Sequence, residues 1–390
     1  MKILFIHNDY IKPSGEEAAS NEIARVLEEH GHEVKWYRKS SAGIQGLTQK
    51  VKAFFLAIYN KNAAKELEAF LDQYNPDIVQ VQNIYPFIST SIFKPLKKRG
   101  IPVVMRCPNY RLFCPNGLCL DSKGRICEKC FGTGHEVWCA LKNCEGSLMK
   151  SLGYALRGYY ARCSRNILDG VDIFIVQSDF QKKKFQAQGI PSEKIAILPG
   201  IAPNIAVNDI DHQGEWVSFV GRVSKEKGID EFIMAAWMNP NIPFKVAGNI
   251  DASFQIPTEL PPNLEFVGFL KGDDLNEFYL NSRLIIVPSK WYEGFPNVIV
   301  RGMLLKRVVI TTSIGAMQSI ILDGENGILV PPADAGALAD AISKAYNDLD
   351  ACSRMGEEAL TDATGKYSRE IIYKELVRIY NSLRSFQSKL

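Results

Sequence analysis

Val220-Gly221-Arg222-Val223-Ser224-Lys225-Glu226-Lys227-Gly228 follows an apolar run (Val217, Phe219, Val220) and sets two cations five positions apart just beyond it. Further along, Glu293-Gly294-Phe295-Pro296-Asn297 lies past a second apolar run, Leu284 to Val287, that ends in Pro288-Ser289. An apolar run closed by turn residues reads as a buried strand. Arg222 and Lys227 would then stand at the carboxyl end of a strand, where open α/β sheets bind their ligands. A diphosphate suits that position. The later segment delivers a carboxylate, a glycine and a helix start, whose free N–H groups would meet an anion.

The rest of the chain extends this pattern. Short apolar runs alternate with helical periods, as in the βαβ units of a parallel sheet. In the first half, strands are predicted at Met1 to His7, Glu33 to Arg38, Ile78 to Gln82, Val103 to Met105 and Ile173 to Gln177. Helices are predicted at Glu17 to His30, Asn62 to Tyr74, Ser91 to Arg99, Leu148 to Ile167 and Asp179 to Gln188. The alternation restarts at Trp216, with strands near 216–220, 244–247, 264–267, 284–287, 308–311 and 328–330 and closing helices at Ala335 to Asp348 and Ser368 to Arg384. Pro199-Gly200, Pro203-Asn204 and the polar run Asn208 to Gly214 read as a linker. The fold class is therefore α/β, with two doubly wound domains.

Length supports the division, since 390 residues exceed what one core usually organises. Hydrophobic residues make up 46% and charged residues 23%, and no stretch approaches the ~20 apolar residues of a membrane span. Met1-Lys2-Ile3-Leu4-Phe5-Ile6-His7 has a strand pattern and no signal-peptide features, so the expected compartment is the cytosol. Net charge is +3, but residues 1–200 hold 28 Lys+Arg against 19 Asp+Glu, and the remainder 18 against 24. A basic first half suits an acidic or membrane-surface acceptor, with nucleic acid as the rival partner. No G-x-G-x-x-G follows the first strand, which argues against a nicotinamide enzyme.

The two quoted segments together resemble the donor half of retaining glycosyltransferases of family 4, and the likeness runs over nearly the whole chain. It implies the GT-B fold, two Rossmann-like domains facing across a cleft. Residues 1–200 would form the acceptor-side domain with an insertion about 107–146, 201–214 the linker, 215–367 the nucleotide-sugar domain, and 368–390 a helix returning to the first domain. The implied activity is transfer of a sugar from a UDP- or GDP-sugar to a hydroxyl of a glycan or lipid-linked acceptor. By the resemblance, Arg222 and Lys227 stabilise the leaving diphosphate and no catalytic metal is needed; fixed cations and N–H dipoles then carry that role. Glu293 would hold the sugar, with Gly294, Phe295, Pro296, Asn297, Val298 and Phe269 on the donor side. Arg301 stands where the family usually has a second Glu that accepts hydrogen bonds from the ribose, which an Arg cannot do. Gly15 in the first loop would approach the phosphates closely. Relatives often carry histidines where this chain has Gln80, Gln82 and Pro108, leaving Asn83, Asn109 and Arg111 as acceptor-side candidates. Arg301 and the missing histidines keep a second reading open, a catalytically silent GT-B protein that binds a partner or nucleic acid.

Seven of the nine cysteines fall between Cys107 and Cys144. In a cytosolic protein such clustering points to metal rather than disulfides, and Cys127-Glu128-Lys129-Cys130 is a C-x2-C knuckle. The segment resembles an insertion in one subset of family 4 enzymes, which implies a structural zinc held by Cys114, Cys127, Cys130 and Cys144. Cys107, Cys119, Cys139 and His135 are alternates; an iron-sulfur cluster, or reduced or partly bridged thiols, are the other states open. Two basic stretches carry aromatic side chains: Lys50 to Lys61 with Phe54, Phe55, Leu56, Ile58 and Tyr59, and Lys150 to Arg165 with Tyr154, Tyr159 and Tyr160. Their aromatic faces would either rest on an anionic bilayer or fill the core.

Overall fold

The computed structural model describes residues 1–11, 15–44, 46–132, 134–202 and 214–387. It has two compact units: Met1–Ser122 with Cys127–Ile201 and Ile372–Leu390, and Lys123–Ile126 with Ala202–Ile371. Each is built on a six-stranded parallel sheet. The linker expected over 201–214 falls almost wholly outside the described residues, as do Lys12, Pro13 and Ser14 of the first loop.

In the first unit the strands are β1 (Lys2–Asp9), β2 (Glu33–Ser40), β3 (Ile78–Val81), β4 (Val103–Arg106), β5 (Ile173–Val176) and β6 (Ile195–Ile197), in the order β2-β1-β3-β4-β5-β6. Parallel strands are covered on both faces, so they need unbroken apolar runs. Ile3, Leu4, Phe5 and Ile6 supply one, all fully buried. The chain leaves β1 to β2 on one side, while β3 flanks β1 on the other; that reversal opens a crevice at the carboxyl ends of β1 and β3. The final helix, Arg369–Gln387, places Ile372, Leu376, Ile379 and Tyr380 in this unit's core. Their spacing of four, three and one lays them on one face. Burial of each aliphatic chain stabilises the fold by about 1.5–3 kcal/mol, and the Tyr380 hydroxyl donates to Gln80 Oε1.

In the second unit the strands are β7 (Trp216–Val220), β8 (Phe244–Ala247), β9 (Leu264–Gly268), β10 (Ser282–Val287), β11 (Val308–Thr312) and β12 (Ile328–Val330), in the order β12-β11-β10-β7-β8-β9. Here the reversal lies between β7 and β10. Those are the two strands that precede Arg222 and Glu293.

Several elements differ from the sequence expectation, the short helix Val137–Leu141 among them. The helix expected over Leu148 to Ile167 ends at Cys163, because Arg165 turns left-handed (φ +53°), and a short helix, Asn166–Gly170, follows. Strand β6 was not anticipated, since three residues beside Pro199-Gly200 carry almost no periodic signal. The helix Leu349–Tyr367 was also missed. Its buried positions include Gly356, Ala359 and Ala363, too small to give a strong apolar stripe, and Gly356 is required because a Cβ there would overlap the Lys306 carbonyl.

Candidate functional site

Around β7, glycines let neighbouring loops approach backbone to backbone. At Gly248 (φ +154°) a Cβ would overlap the Gly221 carbonyl, so the loops after β7 and β8 touch backbone to backbone. Beyond Arg222, a 3-10 turn over Lys225–Lys227 ends at Gly228 (φ +79°), where a Cβ would overlap the carbonyl oxygen of Pro288. That approach brings Lys227 to the loop after β10. Lys227 Nζ lies 2.5 Å from Glu293 Oε1 and 5.4 Å from the Trp291 ring centroid. Ser289 Oγ (2.8 Å) and Trp291 Nε1 (2.9 Å) donate to the same carboxylate oxygen. Glu293 is buried, so its charge needs these three donors.

A cavity of about 140 Å³ opens at this point, lined among others by Val220, Lys227, Ser289, Glu293 and the Phe295–Val298 segment. The helix Asn297–Leu304 begins on its wall with no side-chain cap. Its first N–H groups thus lack the usual side-chain acceptor, which favours an anion there. The chemistry on offer is a cation, a fixed carboxylate and a helix amino terminus around one space.

Arg222 is held elsewhere. Its guanidinium donates to Asp251 Oδ2 at 2.8 Å and pairs with Glu226. Hydrogen bonds from Ser253, then the Arg222 guanidinium, hold the Asp251 carboxyl down at about 2. Arg222 does not line the cavity. Arg301, on the cavity's helix, places its guanidinium 5.4 Å from the centroid of the buried Tyr279 ring. Phe269 follows β9 with its ring exposed, and the Phe295 ring packs edge-on against Tyr367 at 5.3 Å.

The first unit gathers a second polar cluster at its own reversal. Asn83 Nδ2 donates to the carbonyls of Asn8 (2.7 Å) and Tyr85 (3.1 Å), and its Oδ1 accepts from Arg111 Nη1 at 3.0 Å. Arg111 Nη1 also donates to the Tyr10 hydroxyl at 3.2 Å, and that hydroxyl donates to Glu16 Oε2 at 2.8 Å. Asn109 Oδ1 accepts the Arg111 amide at 3.0 Å. The three expected acceptor-side residues, Asn83, Asn109 and Arg111, therefore meet, together with Tyr10 and Glu16, which sequence reading passed over. Burial raises the Tyr10 phenol well above its usual value.

Two further guanidiniums lie in this region. Arg157 is buried between Tyr85 (4.1 Å) and Tyr154 (4.3 Å), with Nη2 donating to the Pro115 carbonyl at 2.9 Å. Arg106 is buried at the end of β4, with Nη1 unpartnered. Among the described residues no carboxylate stands within 4.0 Å of Arg106, Arg111 or Arg157. Buried charge in that state favours an anion nearby. His7 is buried beside them. Its Nδ1 accepts from the Asn83 amide at 3.4 Å, leaving the proton on Nε2, which faces Asp9 and Glu17 at 3.7 Å each. Gly15 opens the helix Gly15–Glu29, and among the described residues a Cβ there would meet nothing within 4 Å. The fold itself does not demand glycine at that position.

Cys114, Cys119, Cys127, Cys130, Cys139 and Cys144 gather in one module. The Cys114 side chain hydrogen-bonds with Cys119 and Cys130, and Cys139 with Cys144; these contacts draw the Cys114 and Cys144 thiols below their ordinary value. Cys130 and Cys139 pack together with Ala155, while Cys127 Sγ accepts from Lys142 Nζ at 3.4 Å. Cys107 sits apart at the end of β4, reaching the Met105 carbonyl at 3.7 Å, and His135 Nδ1 contacts the Phe131 carbonyl. Soft thiols in this number suit zinc. No three of their sulfurs lie mutually within 4.8 Å, so a metal would draw them closer.

Comparison with known proteins places these sites in context. Residues 201–362 match the family described as glycosyl transferases group 1. A protein of the cps region of Klebsiella pneumoniae is 27% identical over 70% of this chain and 66% of its own length. The capsular polysaccharide biosynthesis glycosyltransferase CapM of Staphylococcus aureus is 29% identical over 43% of this chain and 46% of its own. The chain thus spans less than two thirds of these curated relatives. Sucrose-phosphate synthase from Thermosynechococcus elongatus superposes with a TM-score of 0.69 at 16% identity, covering 98% of this chain and 99% of that one. HepE of Anabaena, in complex with UDP-glucose, gives 0.65 at 17% identity over 98% and 100%. At such identities the likeness is one of fold. The second unit therefore carries a glycosyl transferases group 1 domain, within a chain of GT-B fold.

Proposed function

We propose that this chain is a retaining glycosyltransferase of polysaccharide assembly, moving a sugar from a UDP- or GDP-sugar to a hydroxyl of a glycan or lipid-linked glycan. The observation that carries the reading is the meeting of Lys227 and Glu293 at the β7/β10 reversal, beside an uncapped helix start. In this reading the diphosphate takes over Lys227 from Glu293, and the freed carboxylate oxygen accepts a sugar hydroxyl while Ser289 and Trp291 keep it aimed. The amides at Asn297 and Val298 face the distal phosphate. As the C1–O bond to phosphate breaks, charge grows on the leaving diphosphate, where Lys227 and the helix dipole stabilise it. The acceptor oxygen bonds to C1 on the same face and its proton passes to the leaving phosphate, so no side-chain base and no divalent ion are required.

Arg222 joins the diphosphate by exchanging Asp251 for it. Ribose hydroxyls find their acceptor in a group other than Arg301. The Asn83–Arg111–Tyr10 cluster receives the acceptor, and the neighbouring guanidiniums suit one that carries negative charge. The cysteine module holds a structural zinc that shapes this region, with Cys114, Cys127, Cys130 and Cys144 as ligands. Metal content tests it directly: Cys130→Ser should lose zinc, and Cys107→Ser should keep it. Incubation of the protein with UDP- and GDP-sugars tests the function. Slow donor hydrolysis or transfer, abolished in Glu293→Ala, supports the reading; inertness toward every donor sends it back to the silent binder.

A further inference from the structure

Helix Leu148–Cys163 has two faces of different character. One packs inward: the Phe54 ring of the helix Gly46–Ile58 approaches to 2.7 Å of where a Cβ at Gly153 would lie, and the Tyr59 and Tyr160 rings meet edge-on at 5.8 Å. Phe54, Tyr59 and Tyr160 therefore follow the inward alternative of the sequence reading and are used between helices. The other face is exposed. Leu148 (68% exposed), Leu152 (42%), Leu156 (41%) and Tyr159 (52%) recur at steps of four, four and three, which draws one apolar line along the helix. Phe55, on the helix packed against it, is 63% exposed, and Leu141, on the short helix packed at its other side, 68%.

So much outward apolar surface is rare on a free monomer and marks an interaction face. Its charge tells what kind. Of the eight Lys and Arg in residues 46–61 and 137–165, Arg157 is buried, and Lys142, Lys150, Arg162 and Arg165 pair with Asp121, Glu145, Glu136 and Asp169. Lys50, Lys52 and Lys61 have no carboxylate within 4.0 Å among the described residues. Lys50, Lys52, Lys61, Lys150 and Arg165 are exposed. A second copy of the chain would bring like charges together. An anionic bilayer accepts both features, the apolar line entering the interface and the cations meeting headgroup phosphates. We propose that this face docks the first unit on an anionic lipid surface. The inference stands apart from the transferase reading, because it needs neither donor nor acceptor.

The test is cosedimentation of the full chain with phosphatidylcholine vesicles, with and without phosphatidylglycerol. The wild type should bind the anionic vesicles, and added salt should weaken that binding. Leu152→Asp/Leu156→Asp should bind at least about tenfold more weakly, and Lys50→Gln/Lys52→Gln roughly 25-fold more weakly with a flatter salt dependence. Both pairs are exposed, so unchanged melting curves confirm intact folds. A wild type that stays in the supernatant with anionic vesicles overturns the proposal, as do variants that bind like the wild type. So does a concentration-dependent dimer, seen by light scattering, that the leucine variant abolishes, since the face then belongs to a second copy.

Discussion

Lys227 Nζ and Glu293 Oε1 stand 2.5 Å apart although 66 positions separate them in the chain, and each sits just past a strand at the point where the second sheet's order reverses. Ser289 and Trp291 orient the buried carboxylate, and Lys227 supplies the opposite charge. In the proposed reading a diphosphate displaces this carboxylate from the lysine. Replacing Lys227 by alanine should lower donor turnover about 10²–10³-fold, the usual loss for one electrostatic donor in a dry site. Steady-state rates on the responsive donor check this.

Two glycines should separate fold from function. Gly228 has φ +79° and no room for a Cβ beside the Pro288 carbonyl. Gly228→Ala should cost more than about 1 kcal/mol of stability. Gly15→Ala meets open space, so its melting temperature should hardly move, while donor affinity falls if the phosphates approach that turn. Thermal melts and donor titrations on both proteins give the comparison.

Acid should reveal the Asp251 network. The carboxyl is held at about 2, below its ordinary 3.8, so its contribution to stability is complete above the ordinary value and is lost as pH falls from about 4 toward 2. Asp251→Asn should flatten the stability profile across that window. Ser253→Ala and Arg222→Ala should each flatten it in part, the first by removing the Oγ hydrogen bond while the Ser253 N–H still donates, the second by removing the guanidinium. Denaturant midpoints measured across the window decide it.

Leu376 is buried in the first unit's core from the last helix. Leu376→Ala should destabilise the protein by about 2–5 kcal/mol, as read from chemical denaturation.

Most of the fold was legible because parallel strands must be apolar throughout, and runs such as Ile3 to Ile6 or Leu284 to Val287 have no other use. The helix Leu349–Tyr367 was hidden by its small buried residues. The candidate site was legible at Lys227 and Glu293, which the fold brings together, because charge after a strand is a visible signal. Arg222 was legible as a cation but not as the partner of Asp251, since a contact across 29 positions is set by how the loops after β7 and β8 meet. Ser289 was read only as the end of a strand and Trp291, in the loop that follows, was not singled out; which way a donor points is not written in its residue type. Arg157 read as part of a basic helix face, and only packing shows it enclosed by Tyr85 and Tyr154.

Calorimetric titration of UDP- and GDP-sugars into the wild type and Lys227→Ala tests the central claim most directly. At least one donor should bind the wild type, and the variant should bind it at least about tenfold more weakly. Equal affinity for both proteins would contradict a diphosphate seat built around Lys227.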